Sequence, residues 1–271
     1  MDQDEKTARV KKAFDTVAEA YDQSSMSWFD RTADAIAQAS ELGANQSALD
    51  IATGTGKVAL RLAATSPGVT VLGVDLSEKM LEQAKKKAAS AQLSNVQFEQ
   101  CAFDEMNFGE KFDLVTCSFG LFFVDDMAEM LKHFAAQAAP QGRIIISTFA
   151  LGAFSPFTDA FYRLFGEFGF DSAPPRWVRL ATPELLSGVF EEAGLNAPRC
   201  TAHDFGFELA SADEWWGIIW SAGFRGMLQM MSDEQVVRFK EKHLQEVEGL
   251  LKDGQTRLDV RVIIGVSDKK S

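Results

Sequence analysis

Residues 48–63 read ALDIATGTGKVALRLA. The stretch opens as a short apolar run, breaks at Gly54 and Gly56, and resumes with apolar residues on one face of a helix. Strand, glycine turn and helix in that order form the entry to a mononucleotide-binding unit, so the fold is decided by what the turn is built to hold. A phosphate-binding P-loop is absent, because Gly56-Lys57 is followed by Val58 rather than Ser or Thr, and position 51 is Ile rather than Gly. A dinucleotide-binding turn fits better. Gly54, Gly56 and Ala59 satisfy G-x-G-x-x-A, and Asp75 follows where a ribose-binding acid belongs.

Outward from this unit, strands alternate with helices. VTVLGVDLS (69–77) is expected to be a second strand, with Ser77 capping the helix EKMLEQAKKKAA. NVQFEQC and FDLVTCSFG supply a third and a fourth strand; Asp125 or Asp126 then caps a helix running to about Ala139, punctuated by Pro140 and Gly142. RIIISTF is a fifth strand, apolar throughout as for a strand buried on both faces. Thr182 and Pro183 open a further helix, RCTAHDFGFEL is read as a sixth strand and RLDVRVIIGVSD as a seventh. This alternation predicts an α/β fold: a Rossmann-like, mostly parallel seven-stranded sheet with helices on both faces. Ligands of such sheets sit beyond the carboxyl ends of the strands. Two segments, 151–180 and 211–252, interrupt the pattern. The second opens on the capping box Ser211–Glu214 and carries another at Ser232–Gln235, so both segments are read as helical insertions covering the ligand end.

Charge and cysteine content narrow the function classes. With 27 basic against 39 acidic residues the net charge is -12, whereas a nucleic-acid partner calls for a basic face. The cluster Lys85, Lys86, Lys87 reads as the solvated face of a helix. MDQDEKTARV is acidic and lacks the apolar segment of a secretory signal, and no apolar run reaches the roughly 18 residues of a membrane span. Cys101, Cys117 and Cys200 form neither a CxxC pair nor a His-flanked cluster. No metal or disulfide framework is therefore expected, and the expected setting is the reducing cytoplasm.

LDIATGTG, VLGVDLSEKML, VQFEQCAFDEMNF and FDLVTCSFGLFFVDD, taken together and in that order, resemble the class I S-adenosylmethionine-dependent methyltransferases. The likeness is strongest to the ubiquinone/menaquinone-biosynthesis type of small-molecule methyltransferase, whose entry helix VKKAFDTVAEAYD also resembles. It covers roughly residues 8–150. The resemblance implies S-adenosylmethionine as cofactor, with Gly54 and Gly56 permitting its close approach. It implies that Asp50 complements the cofactor's ammonium group, directly or through water, and that Asp75 accepts both ribose hydroxyls. Tyr21 closes over the cofactor in this reading, and Ala52, Leu76, Ala102, Phe103 and Ser118 complete the set. Two departures stand out. Ala52 replaces the first glycine of the usual turn, and Ala102 stands where many relatives carry an Asp for the adenine amino group, which leaves backbone groups, apolar contacts or Asp104 to hold adenine. The slot after strand four reads SFGL rather than N-P-P-Y, which gives no support to methylation of nucleic-acid bases or protein amides.

Methyl transfer from a sulfonium needs alignment and a dry site. Phe154, Phe157, Phe161, Phe165 and Phe168 recur on one face of a helix, a stripe that suits a lid over an acceptor pocket and equally suits plain core. Phe119, Phe154, Phe157, Trp177, Trp216 and Trp220 are the expected pocket residues. His203 and His243 are the candidate bases. The expected organisation is one methyltransferase domain, 1–271: cap helices over 1–45, a cofactor core over 46–150 and the two insertions, with 181–210 and 253–271 completing the core. The expected reaction is methyl transfer to a small, apolar or aromatic acceptor in a water-excluded pocket, by a chain for which homo-oligomerisation stays open. Alternatives are an amine N-methyltransferase with an aromatic cage, an NAD(P)-dependent oxidoreductase resting on the G-x-G-x-x-A turn, and a degenerate binding protein.

Overall fold

The computed structural model describes residues 3–22, 26–65, 68–171, 175–222 and 224–269. Residues 1 and 2 of the acidic N-terminal stretch, and 172–174 and 223 of the insertions, lie outside the described residues. Two helices, α1 (Gln3–Val17) and α2 (Trp28–Ser40), precede the first strand, β1 (Ser47–Ile51). The chain continues through α3 (Lys57–Thr65), β2 (Thr70–Asp75), α4 (Glu78–Ser90), β3 (Val96–Gln100), β4 (Phe112–Ser118), α5 (Met127–Gln137) and β5 (Ala138–Phe149). After β5 come α6 (Phe157–Glu167), α7 (Pro183–Glu192), β6 (Arg199–Asp204), β7 (Phe207–Glu208), α8 (Ala212–Ser221), α9 (Arg225–Leu228), α10 (Asp233–Lys252), β8 (Arg257–Leu258) and β9 (Arg261–Asp268).

Seven strands form one sheet in the order β3-β2-β1-β4-β5-β9-β6. The first five are parallel, while β9 runs antiparallel to both β5 and β6. The expected α/β sheet is therefore present. Strand order reverses between β1 and β4, and such a switch point opens a crevice at the strands' carboxyl ends. The middle strands are buried on both faces, as at Leu49, Ile51, Leu114, Val115, Ile144 and Ile146, which accounts for their unbroken apolar runs.

Local signals in the sequence set most boundaries. Ser77, Asp126, Thr182, Ser211 and Ser232 each accept a backbone N–H in the first turn of their helix. The box at Ser232 closes reciprocally with Gln235, whereas Glu214 reaches past Ser211 to accept the N–H of Ala210. Three expectations need correction. The helix expected to run to Ala139 stops at Gln137, because Ala138 pairs with Phe112 in the sheet; Pro140 and Gly142 lie in the irregular start of β5, where the register to β4 shifts. The sixth strand ends at Asp204, whose side chain accepts the N–H of Gly206 and turns the chain. The seventh is likewise split, and its first piece, β8, pairs with β7 in a separate two-stranded ladder.

Both insertions are helical; their helices pack largely on each other, and among the described residues neither insertion lines the crevice. Phe157, Phe161 and Phe165 of α6, Trp215 of α8 and Phe239 of α10 are all fully buried. Phe161 meets Phe239 edge-on at 5.1 Å and Phe157 lies 5.6 Å from Trp215. The stripe of phenylalanines is the core of this subassembly.

Candidate functional site

At the switch point lies a cleft of about 1220 Å³, counting its open mouth. Its floor is the turn after β1. Asp50, 1 % exposed, anchors that turn from below: its carboxylate accepts Thr53 Oγ1 at 2.6 Å, Thr116 Oγ1 at 2.7 Å and the N–H of Ala59 at 3.2 Å. Burial pushes its pKa up to about 6 despite those bonds. Asp75, at the end of β2, accepts the N–H of Gly54 on one oxygen and that of Ser77 on the other, both at 2.8 Å, and burial raises its pKa too. Each oxygen keeps a lone pair for a further donor.

The turn's small residues divide their work. Gly54 has φ +55° and nothing within 4 Å of where a Cβ would stand, so its bare face is open to a ligand. Gly56 is different. A Cβ there would meet Ala84 Cβ at 2.9 Å and Phe98 Cζ at 3.0 Å, and Gly56 is absent from the cleft wall. Its lack of a side chain serves packing on α4 and β3 rather than the ligand approach expected of it. Ala52 takes φ 54°, a glycine-like conformation held by a residue with a Cβ.

Of the expected cofactor residues, Tyr21, Asp50, Ala52, Gly54, Asp75, Leu76, Ala102, Phe103 and Ser118 all line this one cleft. So does Asp104, one of the alternatives for holding adenine beside backbone groups and apolar contacts. Phe119 lines it too, with φ 55°, its ring stacked on Phe149 at 4.4 Å and edge-on to Phe29 at 5.3 Å. A bulky residue held at positive φ beside a cleft is a mark of functional constraint.

The other pocket and base expectations are corrected. Phe154 and Phe157 are 3 % and 0 % exposed and belong to the aromatic core behind the cleft. Trp177 packs edge-on against Phe149 from outside the wall. Trp216 and Trp220 border a shallow depression between α8 and α10, with Trp220 largely solvent-facing, so they form no cage around the cleft. His203 stacks on Phe205 at the outer edge of the sheet. His243 is fully buried. Its Nε2 accepts the indole N–H of Trp215 at 2.8 Å, and burial, with the Arg163 charge adding, drives its pKa down to about 4. Among the described residues no histidine lines the cleft.

The wall that the sequence left unnamed comes from α1 and from the loop after β4. Val10 and Phe14 of α1 face Phe123 and Val124, with Phe14 edge-on to Phe123 at 5.4 Å. Tyr21 stacks on Phe29 at 5.4 Å, and burial together with the Asp75 and Asp22 charges raises its phenol's pKa. Polar contacts fasten this wall to the cleft floor. Asp15 accepts Ser77 Oγ at 2.5 Å; Asp22 accepts Thr55 Oγ1 at 2.9 Å and pairs with Lys87 at 2.7 Å and Lys57 at 3.2 Å. The entry-helix likeness pointed to this region, but only Tyr21 was singled out from it.

Fold and cleft together define an α/β protein with a ligand site at the carboxyl ends of β1 and β2. A family model described as a methyltransferase domain matches residues 42–164. The ubiquinone/menaquinone biosynthesis C-methyltransferase UbiE of Geotalea daltonii is 33% identical over 168 residues, 59% of this chain and 72% of the relative. The demethylmenaquinone methyltransferase of Deinococcus radiodurans is 35% identical over 102 residues, 37% of this chain, and the chain covers only 42% of that relative. Among solved structures, the YcgJ protein of Bacillus subtilis shares the fold at TM-score 0.61 and 20% identity, over 89% of this chain and 99% of its own. The chain belongs to the class I S-adenosylmethionine-dependent methyltransferases, in the ubiquinone/menaquinone-biosynthesis-like group. Its cofactor is S-adenosylmethionine and its acceptor a small molecule, which replaces the NAD(P) reading of the turn. Among the described residues, no helix is long and apolar enough to cross a membrane.

Proposed function

We propose that the chain methylates a ring carbon of a quinone-type precursor, in one domain whose 46–150 core holds the cofactor and whose N-terminal helices, rather than the insertions, enclose the acceptor. The name of the Geotalea relative supports the acceptor class. The observation that carries the reading is the cleft itself. A floor bearing Asp50 and Asp75 faces, within one cavity, an apolar wall of Val10, Phe14, Phe29, Phe119 and Phe123.

The cofactor supplies an electrophilic methyl group on a cationic sulfur. Asp75 receives the ribose hydroxyls on the lone pairs that Gly54 and Ser77 leave free. Asp50 lends negative charge beneath the ammonium group, its orientation fixed by Thr53 and Thr116. Leu76 and Phe103 flank the adenine, and Asp104 offers the carboxylate that position 102 lacks. The phenylalanines would exclude water and orient a flat acceptor toward the cofactor's methyl group, an orientation worth several kcal/mol. With no histidine on the described wall and the Tyr21 phenol held protonated, the site suits an acceptor whose own ring hydroxyls push electrons to the ring carbon, the displaced ring proton passing to solvent at the open mouth of the cleft.

The test is calorimetric titration with S-adenosylhomocysteine, followed by an assay on a short-chain demethylmenaquinol. Cofactor binding with methylated product supports the reading. Cofactor binding without turnover, at any acceptor concentration, rejects the quinone acceptor and leaves the methyltransferase.

A further inference from the structure

The first insertion reaches the loop that walls the cleft by a route other than its aromatic residues. A short 3-10 turn, Arg176–Leu180, lies against the loop that follows β4. There, two guanidinium groups take four consecutive backbone carbonyls. Arg179 donates to Phe122 O at 2.8 Å, Val124 O at 2.5 Å and Asp125 O at 2.9 Å, while Arg176 donates to Phe123 O at 2.6 Å. Carbonyls at the end of a helical turn have no partner within that turn, and a planar fork with several N–H groups can satisfy neighbouring ones together. The Arg176 guanidinium also lies 3.6 Å from the Asp125 carboxylate.

This loop is the wall segment that presents Phe123 to Phe14 and Val124 to the cleft. Its inner end is Phe119, held at positive φ. Ordinary sheet hydrogen bonds fix the loop at β4, and the cap Asp126 fixes it at α5. Between those points backbone N–H groups take the carbonyls of Gly120 and Leu121, and the arginines hold those of 122–125. We propose that Arg179, assisted by Arg176, is a positioning residue for the acceptor, setting Phe123 and Val124 at the depth the methyl acceptor requires. The proposal rests on the reading that this wall is the acceptor side. It gives the first insertion a role in specificity, exercised through the backbone of its neighbour.

The variants Arg179→Met, Arg179→Lys and Phe123→Ala separate the possibilities. For each, the affinity for S-adenosylhomocysteine, the KM and kcat for a short-chain demethylmenaquinol, and amide hydrogen exchange over 121–126 are measured on the full chain. Arg179→Met is expected to speed exchange in the loop and raise the acceptor KM about tenfold, the scale on which small misplacements act. Its kcat is expected to fall less, with cofactor affinity unchanged. Arg179→Lys should recover part of the KM, since one ammonium can serve some of the three carbonyls. An unchanged KM in Arg179→Met beside a raised KM in Phe123→Ala overturns the positioning role alone. An unchanged KM in both, or no turnover of the quinol by the wild type, overturns the acceptor-wall reading and the proposal with it. A parallel loss of cofactor affinity and melting temperature in Arg179→Met reduces the arginine to a general structural support.

Discussion

Two aromatic regions lie back to back in this molecule, joined where Phe119 stacks on Phe149 and Phe149 meets Phe154 at 4.9 Å. In front is the cleft wall of Phe14, Tyr21, Phe29 and Phe123, each left half-buried with a face to the cavity. Behind is the insertion cluster of Phe157, Phe161, Phe165, Trp215 and Phe239, closed completely around His243. Both are built mostly of phenylalanine, so composition does not tell them apart. What differs is the scaffold. The front wall is held by ion pairs and hydroxyls that can part, as at Asp15 and Asp22, while the rear cluster is held by packing that cannot open without losing its buried surface.

The sharpest break of this comparison is Asp75→Ala. On the proposed reading it removes two charge-assisted hydrogen bonds to the ribose, and S-adenosylhomocysteine binding should weaken by about 3 kcal/mol, roughly a hundredfold, in a calorimetric titration. The rear cluster should show no such coupling. Trp215→Phe leaves His243 Nε2 buried without its donor and should lower stability by roughly 2 kcal/mol in urea unfolding, with cofactor affinity unchanged. Removing both partners together, Trp215→Phe with His243→Phe, should restore much of the loss.

Acid separates the regions by sign. His243 has a folded pKa near 4 against 6.5 unfolded, so as pH falls from 6.5 the unfolded state takes up a proton first and up to ~3 kcal/mol is lost by pH 4. Asp50, raised to about 6 from 3.8, works the other way: the folded state binds its proton first, and stability contributed by that group grows as pH falls between those values. Unfolding measured from pH 7 to 4 should therefore show the double variant gaining on the wild type as acidity rises. An unchanged gap would mean that His243 is solvated. The smallest effect is expected at Ala52→Gly. Relieving φ 54° should stabilise by up to about 1 kcal/mol, offset in part by chain entropy, as read in urea unfolding.

The cofactor half of the cleft was legible in the sequence because its demands are local. A turn, an acid at a strand end and a cap at Ser77 are each written in a few adjacent residues. Gly56 shows the limit of that legibility, since only the neighbouring Ala84 and Phe98 reveal which way its missing Cβ faces. The acceptor wall was not legible. Val10 and Phe14 resemble any apolar face of an amphipathic helix until α1 is placed over the strand ends. The phenylalanine stripe of α6 predicted a helix correctly and a pocket wrongly, because spacing gives the buried face without naming what buries it. His243 looked like chemistry only while Trp215 was out of sight.

Ser77 Oγ accepts the N–H of Met80 to start α4 and donates to Asp15 of α1, while Asp22 ties the end of the same N-terminal segment to Thr55 and Lys87. That segment also sets Phe14 against Phe123, so polar ties on one rim of the cleft and an aromatic contact on the other meet in a single stretch of chain. On the proposed reading, a substitution at Asp15 or Asp22 is therefore felt by both ligands through that one stretch.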